Sequence, residues 1–242
     1  MPCASDMHVA IVMPSFNEAN SLSAVISEIR AHCNYPIYVV DDVSTDESAS
    51  IARDANATVI PLINKLGAWG ATQAGIRYAL QKGHDAVITM DSDGQHDPAY
   101  IASLLAPLEN TRADVCIGSC TERGSLLRHL AWRLLRSTSG IRIEDLTSGY
   151  RAYNLPAMRQ LATWQATFLD FQDVGVLSLL LSKNLRIVDV QTPMRSRSNG
   201  SSRIFRSWLV VIYYMCHTML LGLTKRPIHR VKQGQASTAD TL

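Results

Sequence analysis

The segment Val87-Ile88-Thr89-Met90-Asp91-Ser92-Asp93-Gly94-Gln95-His96-Asp97-Pro98 holds the chemistry-bearing residues at their tightest spacing: an apolar run that stops at two carboxylates two positions apart. Alternate residues of a strand share one face, so both carboxylates can project into the crevice beyond the carboxyl end of a sheet. With the amide oxygen of Gln95 beside them, Asp91 and Asp93 make a hard oxygen set. It suits Mn2+ or Mg2+ shared with substrate phosphates rather than caged by protein. The alternative is a polar turn capping the next helix. Asp97-Pro98 fits such a cap, with proline at the first helical position, but a cap leaves Asp91 and Asp93 facing one another with no countercharge. A metal site is the expectation.

Three further loops carry polar chemistry. Met13-Pro14-Ser15-Phe16-Asn17-Glu18 and Val40-Asp41-Asp42-Val43-Ser44-Thr45-Asp46 each follow an apolar run. Ionised carboxylates only accept hydrogen bonds, so Asp41 and Asp42 suit a nucleotide base or ribose. For each loop alone the helix N-cap is the better reading, Asn17 with Glu18 or Ser44 with Glu47. Several acidic or amide-rich loops at one sheet edge favour a ligand instead. Asn64-Lys65-Leu66-Gly67-Ala68-Trp69-Gly70-Ala71 opens a helix with small residues and one cation, so backbone amides and Lys65 can approach a phosphate. A tight turn would use the same glycines.

The elements that must position these loops follow from periodicity. Strands are predicted at His8–Met13, Ile37–Val40, Thr58–Pro61, Ala86–Met90 and Val115–Gly118, alternating with helices near Ala19–Cys33, Asp46–Ala55, Ala68–Gln81 and Ala99–Leu108. This is the rhythm of βαβ units, and it predicts an α/β, Rossmann-like, doubly wound and mainly parallel sheet with helices on both faces. Beyond Ser119 the expected pieces are a basic helix over Arg123–Ser137, a polar loop over Glu144–Asn154, an apolar helix over Asp173–Leu181 and a strand over Arg186–Val190. This half is expected to build the acceptor side.

The division expected for the 242 residues is a catalytic domain over 1–206, an apolar helix over 207–224, and a basic then disordered tail over 225–242. Ser207–Leu223 falls just short of the roughly 20 residues that span a bilayer. An interfacial or oligomer-packing helix is favoured over a core helix, and both over a true span. A formal net charge of +2 argues against a nucleic-acid partner. Five cysteines without a C-x-x-C pair indicate neither a disulfide framework nor a zinc ribbon. With no secretory signal pattern at the start, a cytoplasmic location is expected.

Together the motifs resemble glycosyltransferase family 2, with the GT-A fold, in its polyprenyl-phosphate (dolichol-phosphate) mannosyltransferase-like branch. Pro14-Ser15-Phe16-Asn17-Glu18 matches P-x-Y-N-E, and Val40 to Asp46 matches V-D-D-x-S-x-D. Asp91 to Pro98 matches D-x-D-x-Q-H-x-P, and Asp145-Leu146-Thr147-Ser148-Gly149-Tyr150-Arg151 matches D-x-T-S-G-F-R. Arg197-Ser198-Asn199-Gly200-Ser201-Ser202 matches R-x-x-G-x-S.

The resemblance implies a metal-dependent, inverting transfer of a hexose from a nucleotide-diphosphate sugar to a polyprenyl phosphate or related acceptor, at the cytosolic face of a membrane. It implies that Asp41 or Asp42 binds the base, that Asp91, Asp93 and Gln95 hold the metal, and that Arg197 meets the diphosphate. Pro14, Phe16, Asn17 and Glu18 belong to the same donor site by this resemblance, with Lys65, Gly67, Ser92 and Ser202. Asp173 is a candidate base, or a cap for the helix after it. One departure stands out: where relatives read G-S-R, this chain has Gly118-Ser119-Cys120, leaving Arg123, Arg128, Arg133 or Arg136 as substitutes. The rival readings are a transferase onto a glycan or soluble hydroxyl, and a non-catalytic nucleotide-sugar-binding subunit.

Overall fold

The computed structural model describes residues 7–120, 143, 145, 148–169 and 174–195. The expected helix over 123–137, the apolar segment 207–224 and the tail 225–242 lie outside the described residues. So do Asp173, Arg197 and Ser202.

Strands β1 (Val9–Ser15), β2 (Ile37–Asp41), β3 (Thr58–Pro61), β4 (Ala86–Thr89), β5 (Val115–Ser119), β6 (Arg151–Asn154) and β7 (Ile187–Gln191) form one sheet in the order β3-β2-β1-β4-β6-β5-β7. β1, β2, β3 and β4 pair in parallel, as do β5 and β7, while β6 runs antiparallel to both neighbours. The doubly wound, mainly parallel expectation holds. The order turns back between β1 and β4, which opens the crevice where such sheets take ligands.

Helices α1 (Ala19–His32), α2 (Ser48–Asp54) and α4 (Ile101–Glu109) cover one face, and α3 (Gly67–Gln81), α5 (Leu155–Leu161) and α7 (Val174–Ser182) the other; α6 (Trp164–Thr167) is a single turn beside α3. α1 buries Leu22, Val25, Ile26 and Ile29, the spacing of one helical face. They pack on Ile11, Met13 and Val39, while Val12 and Val40 point the other way, as strand alternation demands. Gly75 lets α3 lie close on that second face: a Cβ there would stand 2.3 Å from Val12 Cγ1 and 2.9 Å from Val40 Cγ2.

Two expectations need correction. The polar loop drawn to Asn154 ends earlier, because Arg151–Asn154 is the strand β6, wedged between β4 and β5. Arg151 is fully buried there and donates from Nε to the Ser148 carbonyl at 2.7 Å. An arginine in a strand covered on both faces breaks the apolar pattern that marks buried strands. The helices after it were also not expected. Asn154 caps α5 by accepting from the Ala157 amide at 3.1 Å, with Pro156 in the first turn. That Asn-Leu-Pro start is a legible helix signal.

Candidate active site

The carboxyl ends of β1, β2 and β4 and the start of β6 meet at one edge, and the loops leaving them are stitched together. The β1 and β2 loops exchange bonds directly: the Asn17 amide donates to Ser44 Oγ at 3.0 Å, and the Thr45 amide to Asn17 Oδ1 at 2.7 Å. Helix α1 takes its caps from the neighbouring loop, since the Glu18 amide donates to Ser48 Oγ at 2.9 Å and the Ala19 amide to Asp46 Oδ2 at 3.2 Å. The capping alternatives within each loop are therefore corrected. Asn17 and Ser44 serve the opposite loop, and neither α1 nor α2 receives a side-chain bond from its own N-cap residue. Asn17 and Val43 both adopt positive φ, 54° and 64°. For a β-branched residue this is backbone strain, of the kind that persists where surrounding structure over-determines it.

Burial pushes the Asp46 carboxyl up, but hydrogen bonds from the Ser48 hydroxyl and amide and from the Ala19 amide outweigh it and hold the group below its ordinary value. Asp42 is buried and accepts at both oxygens, from the Leu66 amide at 2.6 Å and the Gly67 amide at 2.9 Å. It thus supplies negative charge to the N-terminus of α3, which is a structural task for a residue expected at the base. Asp41, also buried, accepts from the Ser44 amide at 3.4 Å. Lys65 lies with Nζ 3.2 Å from the centroid of the Phe16 ring, a cation–π contact rather than a position over a phosphate cradle.

The loop after β4 sits in the crevice. Ser92 Oγ donates to the Pro14 carbonyl at 3.0 Å, and Ser21 Oγ to the Ser92 carbonyl at 2.8 Å, so this loop is fastened to β1 and α1. Ser92 is committed to backbone. Gly94, at φ 80°, makes the turn that returns the Gln95 amide to Asp93 Oδ1 at 3.0 Å. Asp93 is 9 % exposed, whereas the Asp91 side chain is 46 % exposed, so an ion can reach Asp91 from solvent. Asp97 caps the short turn Pro98–Tyr100 through the Ala99 amide, as expected.

An imidazole does stand near Asp91. His96 is buried, with Nε2 3.7 Å from Asp91 Oδ2, and its Nδ1 accepts the Asp91 backbone amide at 3.0 Å. That bond leaves the proton of the neutral ring on Nε2, facing the carboxylate. The ring stacks on Tyr150 at 4.9 Å, and Tyr150 Oη donates to the Asp97 carbonyl at 3.0 Å. Burial above all raises the Tyr150 phenol, keeping it a donor. On the other side of the crevice a Cβ on Gly149 would meet Asp91 Oδ1 at 3.1 Å and Oδ2 at 3.3 Å. Only a glycine leaves the carboxylate this room.

Met194 forms an antiparallel bridge to His96. Beside it the Arg195 amide donates to the Gln95 carbonyl at 2.9 Å, and Gln95 Nε2 donates to the Arg195 carbonyl at 3.4 Å. The Arg195 guanidinium pairs with Glu28 on α1 and, at 3.1 Å, with Asp97. His96, Gly149, Tyr150, Arg195 and Glu28 carry no role from sequence reasoning alone, because their contacts depend on β6 and the segment after β7 reaching this edge.

Asp91, Asp93 and the Gln95 amide fit a hard divalent ion: they supply oxygen atoms only, from one loop, half open to solvent. Among the described residues no group of three His, Cys, Asp or Glu gathers in a way that would cage a metal. Partial ligation of this kind leaves positions for phosphate oxygens. Cys33, Cys116 and Cys120 are buried free thiols. Among the described residues no helix is long and apolar enough to cross a membrane.

Several known proteins are similar to this chain. The undecaprenyl-phosphate mannosyltransferase of Micrococcus luteus is 30 % identical over 217 residues, covering 82 % of this chain and 88 % of that protein. The polyprenol monophosphomannose synthase of Mycolicibacterium smegmatis is 29 % identical over 213 residues, covering 80 % of each. Among solved structures, glucosyl-3-phosphoglycerate synthase from Mycobacterium tuberculosis, in complex with Mn2+, UDP and phosphoglyceric acid, superposes with a TM-score of 0.70 at 19 % identity. It covers 94 % of this chain and 81 % of that one, a likeness of GT-A fold. The family model described as glycosyl transferase family 2 matches residues 10–165, from β1 through α6. With that match over more than half its length, the chain belongs to glycosyl transferase family 2 and is a glycosyltransferase.

Proposed function

We propose that the protein moves a hexosyl group, with inversion, from a nucleotide-diphosphate sugar to a polyprenyl phosphate. The observation that carries this reading is the Asp91–Gln95 loop, fastened into the β1/β4 crevice with one carboxylate open to solvent. Asp91, Asp93 and Gln95 would hold Mn2+ or Mg2+, which neutralises charge on the leaving diphosphate. The acceptor phosphate oxygen forms the new bond to the anomeric carbon while the bond to the diphosphate oxygen breaks, its electron pair leaving with the nucleotide. An anionic acceptor needs no base, so Asp173 is assigned to capping for this acceptor and to base catalysis for a hydroxyl acceptor. Arg197 is assigned to the developing charge on the diphosphate, and Ser202 to the same donor site.

The names of the curated relatives support the lipid-phosphate acceptor, and the Mn2+ and UDP in the structural neighbours support the donor class. The distribution of apolar surface adds to this. Among the described residues the exposed large hydrophobics are Val43, Ile63, Leu66, Trp164 and Phe168. Val43 follows β2, Ile63 and Leu66 follow β3, and Trp164 and Phe168 flank Ala166, whose carbonyl accepts the Trp69 indole N–H at the first turn of α3. All belong to connections near the carboxyl edge. A membrane-borne acceptor would approach that edge, and the enzyme would work at the cytosolic face.

The test is transfer of radiolabelled sugar into an organic-extractable product with Mn2+, beside a melting panel of nucleotide sugars. A donor at a hundredfold excess over its dissociation constant adds about 2.7 kcal/mol of stability. Asp93→Ala is expected to lower transfer at least about a hundredfold, the scale of losing one preorganised charge-stabilising group. Label that stays in the aqueous phase on a soluble acceptor would replace the lipid reading. Equal rates in wild type and Asp93→Ala would end the metal reading.

A further inference from the structure

The amide of Gln95 can serve a cation only through Oε1, and an amide side chain turned over presents an NH2 group instead. What sets its direction is outside the metal loop. Gln95 Nε2 donates to the Arg195 carbonyl at 3.4 Å, the Arg195 amide returns a bond to the Gln95 carbonyl at 2.9 Å, and the His96–Met194 bridge extends the pairing. With Nε2 committed there, Oε1 is the opposite corner of the group.

That arrangement holds only if the Arg195 backbone stays in register, and its side chain is placed to ensure this. The guanidinium reaches Glu28 on α1 and Asp97 at the end of the metal loop, so one residue ties the segment after β7 to both walls of the crevice. Exposed ion pairs add little stability individually. Here the two carboxylates act on position, because a guanidinium has a fixed fork of donors and a direction that an ammonium lacks.

We propose that Arg195 is a positioning residue for the metal site: by clamping Glu28 and Asp97 it holds its own carbonyl where the Gln95 amide must donate, and so presents Gln95 Oε1 to the cation. The inference rests on the reading of Asp91, Asp93 and Gln95 as metal ligands.

The test is Mn2+ binding without turnover, read by electron paramagnetic resonance of free Mn2+ with the full chain and UDP or GDP present. Arg195→Met is expected to weaken Mn2+ binding about tenfold, the low end for outer-shell partners of a metal ligand. Arg195→Lys, keeping the charge, should recover part of that loss. A carboxylate offers oxygen whichever way it turns, so in a Gln95→Glu background Arg195→Met should cost much less Mn2+ affinity than in the Gln95 background. Equal losses in the two backgrounds would mean a merely structural role and overturn the proposal. So would Arg195→Met binding Mn2+ as wild type does, and that result leaves the metal reading intact. A wild-type chain that binds no Mn2+ sinks both together.

Discussion

Asp91 follows β4 and Gly149 precedes β6, and the room one leaves is the room the other uses. In Gly149→Ala the new methyl would press on both Asp91 oxygens, at 3.1 and 3.3 Å. Displacement of this proposed metal ligand by a few tenths of an ångström should weaken Mn2+ binding severalfold while the melting temperature stays close to wild type, a separation that paired melts and metal titrations would reveal. Asp42 makes the opposite prediction. It holds the first amides of α3, so Asp42→Ala should cost about 0.5–2 kcal/mol in a urea titration, and Asp42→Asn, which keeps one oxygen, less. Loss of nucleotide affinity with unchanged stability would return Asp42 to the base. Asp46 predicts a pH dependence. Its carboxyl is held below the ordinary value, so its contribution is complete above the unfolded carboxylate value and fades as pH falls through the lower folded one. Below about pH 4 the wild type should therefore lose stability more steeply than Asp46→Asn. At this scale the Asp91–Gln95 loop was legible as a candidate site, because residue type and spacing are local signals and the structure does set this loop in the crevice beside β1. The cross-loop capping by Asp46 and Ser48 was not, since which loops are neighbours depends on strand order.

Elements were legible where pattern and burial agree. The strands β1, β2, β4 and β5 are apolar runs buried along almost their whole length, and their predicted ends lie within two residues of the observed ones. β6 failed that rule because its first residue is a buried arginine, held by a backbone carbonyl rather than by apolar neighbours alone. The close seat of α3 on the sheet gives a prediction of its own. Gly75→Ala would drive a methyl into Val12 and Val40. Overpacking of this kind typically costs about 1–3 kcal/mol, and chemical denaturation should show it with the donor site otherwise intact. A variant as stable as wild type would mean that α3 rides more loosely than its contacts indicate.

For the molecule as a whole, the alternation of strands and helices indicated a doubly wound sheet, and the crevice between β1 and β4 follows from that topology. The insertion of β6 did not, and it has an architectural outcome. The chain leaves the sheet after β5 and comes back at β6 through one doorway, whose jambs are joined by the bond from the Gly118 amide to the Tyr150 carbonyl at 2.8 Å. The stretch is anchored just before β6: Ile143 belongs to the same core cluster as Val115 and Ile117, and Asp145 and Ser148 are buried. A chimera carrying a relative's residues over 121–142, with Ile143, Asp145, Ser148 and Gly149 kept, should keep its thermal response to nucleotide while changing what it glycosylates. A change of acceptor can thus be confined to one stretch of sequence while the donor crevice keeps its walls.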